Sequence, residues 1–429
     1  MPSFSAPFYG KINRMSVNPA DNSLWVLTAH PMGRSIDPTR IDVQAVLNGS
    51  TTLDSTTSVP VDGIAKDVFG HQTGLYAITD AGKVLRLTEG TFEEAFDCGE
   101  GFGLQGIVGF SDGQTEYPAL EADGSIAMVG GQNRKLVLVG ATSAHVVDVA
   151  NNGSIAIGTT LSTASAGEIT SWAANSVFLA DGSQTHHCAF GWDSGAVTAY
   201  FTDEDSNKFN AIALMHASEV AITAESPLHE GAVTALLYVQ DVDPKGRTKR
   251  YLISTGIDMQ FFQTSLVEGI AIPRKNQHDG RITGFIPGAF ADGDGSYRGL
   301  KFGRLYTLST DGTVKAFLNE YINDPASTYK AETNMSVGTL MMLSTQHRSG
   351  IYSKGDYLGA KLPTPHLVLS NGSEIRLLAI ETTDEKDVQQ KSDLRQNGRM
   401  AESARMTVTH GERFVDQMGW HDNAKVRSQ

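Results

Sequence analysis

One short pattern recurs along the chain and constrains it more than any other feature: a run rich in β-branched or aromatic residues, a tight Asp-Gly or Asn-Gly turn, and a second short run. Leu305 to Leu318 reads LYTLSTDGTVKAFL, Leu75 to Leu87 reads LYAITDAGKVLRL with one residue added in the turn, and Tyr251 to Phe262 reads YLISTGIDMQFF. Further copies centre on Asp123-Gly124, Asn152-Gly153, Asp181-Gly182 and Asn371-Gly372. Asp-Gly and Asn-Gly accept the left-handed dihedrals of a two-residue turn, so each copy predicts a β-hairpin. A further strand region starts at Asn22 to Leu27 and resumes at Ile41 to Leu47, and no long helical period interrupts the series.

The turns at 123, 152 and 181 stand 29 residues apart. That interval is short for a four-stranded unit of about 40 to 45 residues, so some hairpins must be halves of one unit. From residue 251 the spacing stretches and implies long loops, of which GFIPGAFADGDGSYRGL at 284–300 is the clearest. A second signal precedes some hairpins. HEGAVTAL at His229 to Leu236 and HDGRITGF at His278 to Phe285 share one pattern and lie 49 residues apart, with weaker echoes in AGEITSWA at Ala166 to Ala173 and SGAVTAYF at Ser194 to Phe201.

A His-acidic-Gly-x-Val-Thr start followed by a strand ending in Ser-Thr-Asp-Gly-Thr-Val-Lys resembles WD-repeat β-propellers over roughly 229 to 318. In that family the histidine opens the blade and the Asp-Gly hairpin joins its third and fourth strands. The resemblance implies a structural role for His229 and His278, tying the hairpin to the incoming loop. The Trp-Asp pair that names the family is absent: Ala316-Phe317 and Phe261-Phe262 stand there, an aromatic in the tryptophan's place. The expectation is a divergent member.

Closure follows from physics as well. Short antiparallel sheets each have two apolar faces, and radial stacking buries both while leaving only short edges. The recurring hairpin spelling favours this over a pair of β-sandwiches. Dividing about 380 residues by 45 to 55 per blade gives seven or eight, and we expect seven. The predicted fold is therefore all-β, a seven-bladed propeller of four-stranded antiparallel blades over 1–382. A polar, partly helical C-terminal extension follows over 383–429. That extension holds eight acidic and eight basic residues, so the body carries the whole net charge of -14.

Forty-eight acidic residues against thirty-four basic ones repel phosphate backbones, which argues against nucleic acid as a partner. The nearest basic cluster, Lys245, Arg247, Lys249 and Arg250, reads as a solvated hairpin tip. No stretch approaches eighteen apolar residues, so no membrane span is expected. The segment MPSFSAPFYGKINR lacks the charged-then-apolar order of a signal peptide. Two cysteines, Cys98 and Cys188, read as free thiols of a reducing compartment, and a cytoplasmic location is expected.

Chemistry is sparsely signalled. His186-His187-Cys188 is the most metal-like cluster, but neighbours in a strand point to opposite faces, so only His186 and Cys188 face alike. Asp292 and Asp294 offer alternate oxygen ligands in a glycine-rich loop, a weak calcium site at best, and Asp203, Glu204, Asp205 and Asn207 form a similar loop. GFGLQG at Gly101 to Gly106 matches a dinucleotide-binding pattern by letter, but no helical run follows it, and its glycines read as turn residues. Hydrolase elbows, zinc-protease motifs and P-loops are absent from the sequence.

These readings lead to a noncatalytic platform for another protein, needing no cofactor. Its contact segments are Gly284 to Arg298, Asp241 to Lys249 and the extension, with Phe290, Tyr297, Arg298 and Arg247 as anchors. The alternative is a glycan or lactone hydrolase with carboxylates at the propeller axis, calcium-assisted, which predicts two or more acidic side chains meeting there.

Overall fold

Apolar residues occupy adjacent positions, and so both faces, in LYTLS, LYAIT, KLVLV and HLVLS, where a strand buried on one face only would alternate. A computed structural model shows why. It describes residues 3–5 and 10–379 apart from 19, 30–36, 72, 111–116, 121–125, 130–133, 163–166, 179–183, 203–207, 243–247, 288–289, 292–296, 299–303, 319–326, 331–336, 347–360 and 373. Seven sheets stand in a ring, and each of these runs is the second strand of a sheet sandwiched between two neighbours.

Blade 1 consists of Lys11–Asn18, Ser23–Ala29, Thr39–Ile41 and Thr56–Ser58, and blade 2 of Ala65–His71, Gly74–Thr79, Lys83–Thr88 and Thr91–Asp97. Blade 3 holds Gly106–Gly109, Lys135–Val139, Ser143–Val149 and Ile155–Ser162, while blade 4 holds Ile169–Phe178, Gln184–Trp192, Val197–Thr202 and Phe209–Ile212. Blade 5 comprises Val233–Val242, Thr248–Gly256, Phe261–Ser265 and Ile270–Arg274, with Met215–His216 added parallel to the last as a fifth strand. Blade 6 is formed by Ile282–Pro287, Arg304–Ser309, Thr313–Leu318 and Ser327–Lys330. Blade 7 takes Val337–Gln346, Lys361–Asn371 and Glu374–Ala379 from one end of the chain and Ser3–Ser5 from the other, paired Ser3 to Arg376 and Ser5 to Glu374.

The core is seven clusters, one per blade interface. In blade 3, Leu136 and Leu138 pack toward blade 2 beside Tyr76 and Ile78, while Val137 and Val139 pack toward blade 4 beside Phe190. In blade 7, Leu367 and Leu369 meet Tyr306 and Leu308 of blade 6, and Val368 turns to Ile12 and Val26 of blade 1. Burying each such side chain contributes about 1.5–3 kcal/mol. The ring closes by packing of the blade 7 and blade 1 first strands and by a bond from Ile12 N to the Gly372 carbonyl (2.9 Å).

A β-bulge recurs near the start of the first strand in five blades, at its third residue Asn13 in blade 1 and at its second residue in the others, Lys66, Thr170, Thr234 and Thr283. The bulge threonines join blades: Thr170 Oγ1 lies 2.7 Å from the Val233 carbonyl of blade 5, and Thr234 Oγ1 lies 3.2 Å from the Ile282 carbonyl of blade 6. The Lys66 ammonium makes the same reach to the Leu104 carbonyl before blade 3 (3.4 Å).

Several expectations need correction. The Asp311-Gly312 turn joins the second and third strands of its blade, not the third and fourth. The 29-residue interval has no blade meaning: 152 falls between third and fourth strands, 181 between first and second, and 123 within a two-stranded insert, Tyr117–Leu120 with Ile126–Val129. Ile41 to Leu47 is not one strand. It ends at Ile41, and Val43–Leu47 forms a short helix because the Asp42 carboxylate accepts from the Ala45 N–H (2.8 Å). SGAVTAYF leads into a third strand, whereas AGEITSWA does open blade 4. The expected helical extension over 383–429 lies outside the described residues.

Candidate interaction face and blade clamps

Antiparallel pairing fixes which connections share a face of the ring. Links between first and second strands, and between third and fourth, lie on one side, the insert face; links between second and third strands, and from blade to blade, lie on the other, the turn face.

The turn face carries His229 and His278. His229 Nε2 lies 2.9 Å from Ser254 Oγ, and its Nδ1 lies 3.2 Å from Asp258 Oδ1. His278 repeats the arrangement, with Nε2 2.6 Å from Thr307 Oγ1 and Nδ1 2.9 Å from Thr313 Oγ1 and 3.3 Å from Asp311 Oδ2. Both rings are buried, and Phe262 meets His229 edge-on, with ring centroids 5.0 Å apart. The side chain of Phe317 lies outside the described residues. Burial pushes the His278 imidazole down to about 4 against the pull of Asp311, so it is neutral at pH 7 and bonds as a structural group. Bonds from His229 and from backbone N–H groups hold the Asp258 carboxyl below its ordinary value despite burial, and Thr313, its backbone N–H and His278 do the same for Asp311.

The histidines are the visible half of a wider device. In four blades the aspartate of the second-to-third turn accepts from the backbone of the loop that enters the same blade. These bonds are Ile64 N to Asp80 Oδ1 (2.9 Å), Glu168 N to Asp193 Oδ1 (3.0 Å), Glu230 N to Asp258 Oδ2 (2.9 Å) and Asp279 N to Asp311 Oδ2 (2.9 Å). Asp80 and Asp193 lack the histidine, so sequence reading passed over them. Their signal was the aspartate closing each second strand, in AITDAG and FGWDSG.

The insert face is where the strands flanking the expected contact segments end. The first-to-second links of blades 3, 5, 6 and 7 span 110–134, 243–247, 288–303 and 347–360, and the third strand of blade 7 ends on the same side at Ala379. The blade 6 link contains a two-stranded hairpin, Phe290–Ala291 with Tyr297–Arg298, in which Phe290 pairs with Arg298. Its strand Tyr297–Arg298 approaches Tyr117–Leu120 of the blade 3 insert, so links from well-separated blades meet over this face. The side chains of Phe290, Tyr297 and Arg298, and the whole of Arg247, Asp292 and Asp294, lie outside the described residues. The acidic segment 203–207 does too.

The other sequence clusters resolve into packing. Cys188 faces the blade 3 side with Phe190 and Trp192, where His186 lies against Phe110 (centroids 5.2 Å) and bonds Ser176 Oγ (2.7 Å). His187 turns the other way, to Tyr238 of blade 5 (centroids 6.0 Å). Among the described residues, no three His, Cys, Asp or Glu side chains converge on a possible metal position. In GFGLQG, Gly106 starts a first strand beneath the Trp172 indole, which leaves no room for a Cβ.

Among the described residues, one carboxylate is buried on the ring's inner strands. Asp67 accepts from Val68 N (2.9 Å) and from the Ile107 backbone of blade 3, and lies 3.5 Å from Arg14 Nε of blade 1. Burial outweighs these partners and pushes it up to about 6. The only other acid in the seven first strands is Asp241, near the far end of its strand. No described helix is long and apolar enough to cross a membrane. No family model matches this sequence, and no curated protein matches it.

Proposed function

We propose that this propeller is a WD-like scaffold that holds another protein against its insert face. The observation that carries the reading is that the strand ends flanking 110–134, 243–247, 288–303 and 347–360 all open on one side of a ring whose other side carries the clamps. Rigid blades position long loops at little entropic cost to the site, and loops supply recognition. The His-Ser/Thr-Asp clamps of blades 5 and 6 support the WD-like assignment, since they tie the hairpin to the incoming loop as that resemblance implies. Two unpaired thiols, Cys98 and Cys188, support a reducing, cytoplasmic setting.

The test is affinity capture from native extract. The unaltered chain is compared with one in which 288–303 is replaced by a short turn and with the triple variant Phe290→Ala, Tyr297→Ala, Arg298→Ala. Recovery of one protein by the unaltered chain, lost in both variants, supports the assignment. Equal recovery by all three, or no specific partner, rejects it.

A further inference from the structure

On the insert face, between blades 2 and 3, two arginines are held in place by backbone carbonyls, with no counter-charge among the described residues. Arg86, on the third strand of blade 2, donates from Nη2 to the Thr73 carbonyl (2.9 Å). Arg134, just before the second strand of blade 3, donates from Nε to the Val149 carbonyl and from Nη2 to the Ala150 carbonyl, each at 2.7 Å. Among the described residues, neither guanidinium forms an ion pair. Elsewhere carboxylates take up the cations, as in Arg40 with Asp21, Lys83 with Glu94 and Arg376 with Glu374. The acid nearest to Arg134 along the third strand of its blade, Asp148, is engaged by Lys135 at 2.6 Å.

The fold makes room for this pair. A Cβ at Gly74 would stand 2.9 Å from Arg86 Nε, and one at Gly153, in the outer turn of blade 3, would collide with Arg86 Nη1. Glycine at both positions lets the side chain lie across the interface. Its Nε is sealed there with no acceptor among the described residues. Beside the arginines lies a chain of neutral groups, in which Thr73 Oγ1 bonds Tyr76 Oη (2.8 Å) and His71 Nδ1 (2.9 Å). Both arginines reach the same outer turn of blade 3: Arg134 Nη2 donates to the Ala150 carbonyl, which also accepts from Gly153 N (2.9 Å), and Gly153 is the residue against which Arg86 Nη1 lies.

Carbonyls orient a guanidinium without neutralising it, so both keep a full positive charge in a protein of net charge -14. A planar fork fixed in this way is suited to an oxyanion. We propose that Arg86 and Arg134 form a binding site for an oxyanion, a phosphoryl or carboxylate group, at the blade 2–blade 3 junction. The site does not depend on the scaffold reading and needs none of the inserts' anchor residues.

Thermal unfolding of the full chain is measured against increasing inorganic phosphate and, in a second series, succinate, each against chloride at matched ionic strength. A saturable rise in Tm of a few degrees is expected with at least one of them. Phosphate alone identifies a phosphoryl site and succinate alone a carboxylate site. Arg86→Gln and Arg134→Gln should each weaken binding at least tenfold, while Arg40→Gln should not. In case a variant fails to fold, backbone amide resonances of Gly74, Arg134 and Gly153 are followed in the unaltered protein and should shift with the same ligand dependence. No response to either anion, an equal response to chloride, unchanged binding in both variants, or shifts confined to other residues would overturn the proposal.

Discussion

His278 and Asp311 are separated by 33 residues in sequence, yet Nδ1 of one lies 3.3 Å from Oδ2 of the other across the mouth of blade 6. The aspartate also accepts from Asp279 N (2.9 Å), Thr313 N (2.8 Å) and Thr313 Oγ1 (2.6 Å). One side chain thereby ties the incoming loop, the histidine and the hairpin together. Asp311→Ala should destabilise the protein by about 2–3 kcal/mol, because charge-assisted bonds are lost and buried donors are left without acceptors. Urea unfolding decides this, and a loss under about 0.5 kcal/mol would make the clamp ornamental.

The acid limb of stability should carry the imprint of His278. Its folded value of about 4 lies below the ordinary 6.5, so the unfolded chain binds the extra proton between those values. Its contribution is complete above pH 6.5 and is lost as pH falls toward 4. His71 and His186, also pushed down to about 4 by burial, act in the same sense. Asp67 acts oppositely: with a folded value of about 6 against 3.8, its contribution is present below 3.8 and is lost as pH rises through 6. His278→Gln should flatten the fall in urea midpoint between pH 6.5 and 4. An unaltered slope would count against a neutral buried imidazole.

Met259 occupies the turn of blade 5 with φ 61°, where the matching turn of blade 6 uses Gly312 with φ 77°. The methionine is 38% exposed, so removing it loses little burial. Met259→Gly relieves left-handed strain of about 1–2 kcal/mol and gives back about 0.5–1 kcal/mol in unfolded-state entropy. A net stabilisation of up to about 1 kcal/mol is expected from these terms. A lower urea midpoint would contradict it.

Thr234 stands at a bulge with its hydroxyl 3.2 Å from the Thr255 carbonyl in its own blade and 3.2 Å from the Ile282 carbonyl in the next. Thr234→Val keeps the shape and removes the donor. The expected loss is about 1 kcal/mol, read from the chemical denaturation midpoint, with no change in far-ultraviolet circular dichroism. A neutral result would show that the bulge alone sets the blade spacing.

Ser3–Ser5 covers the edge of Glu374–Ala379 and completes blade 7. Deleting residues 1–9 exposes that strand's unpaired N–H and C=O groups, a template for another chain. Lower thermal stability and concentration-dependent association in analytical ultracentrifugation are expected. A deletion variant that stays monomeric with unchanged Tm would show that packing between blades 7 and 1 closes the ring unaided.

Much of the architecture was legible because hairpin chemistry is local. Asp311-Gly312 specifies a turn whatever surrounds it, and the apolar side chains at adjacent positions Leu305 and Tyr306 mark a strand covered on both faces. The His229 and His278 clamps were legible for a similar reason: a repeated spelling with repeated neighbours implies a repeated structural task. Strand order within a blade was not legible. Hairpins of similar spelling occur at three different positions in the sheets, because turn residues record the dihedrals of a turn and not the number of strands preceding it.

The sequence by itself determined that this chain is a series of short antiparallel strands with doubly buried centres, and that some seven units of them must close on one another. Tertiary structure decided which surfaces those units share. Asp80 and Asp193 became clamps only when loop and turn met in space, and Ser3–Ser5 found its sheet at the opposite end of the chain. Arg86 and Arg134, 48 positions apart in different blades, came together at the 150–153 turn. The physical reason is that dihedral preferences and hydrophobic periodicity act over a few residues, whereas charge, hydrogen bonding and burial act through space, where ring closure alone sets the distances.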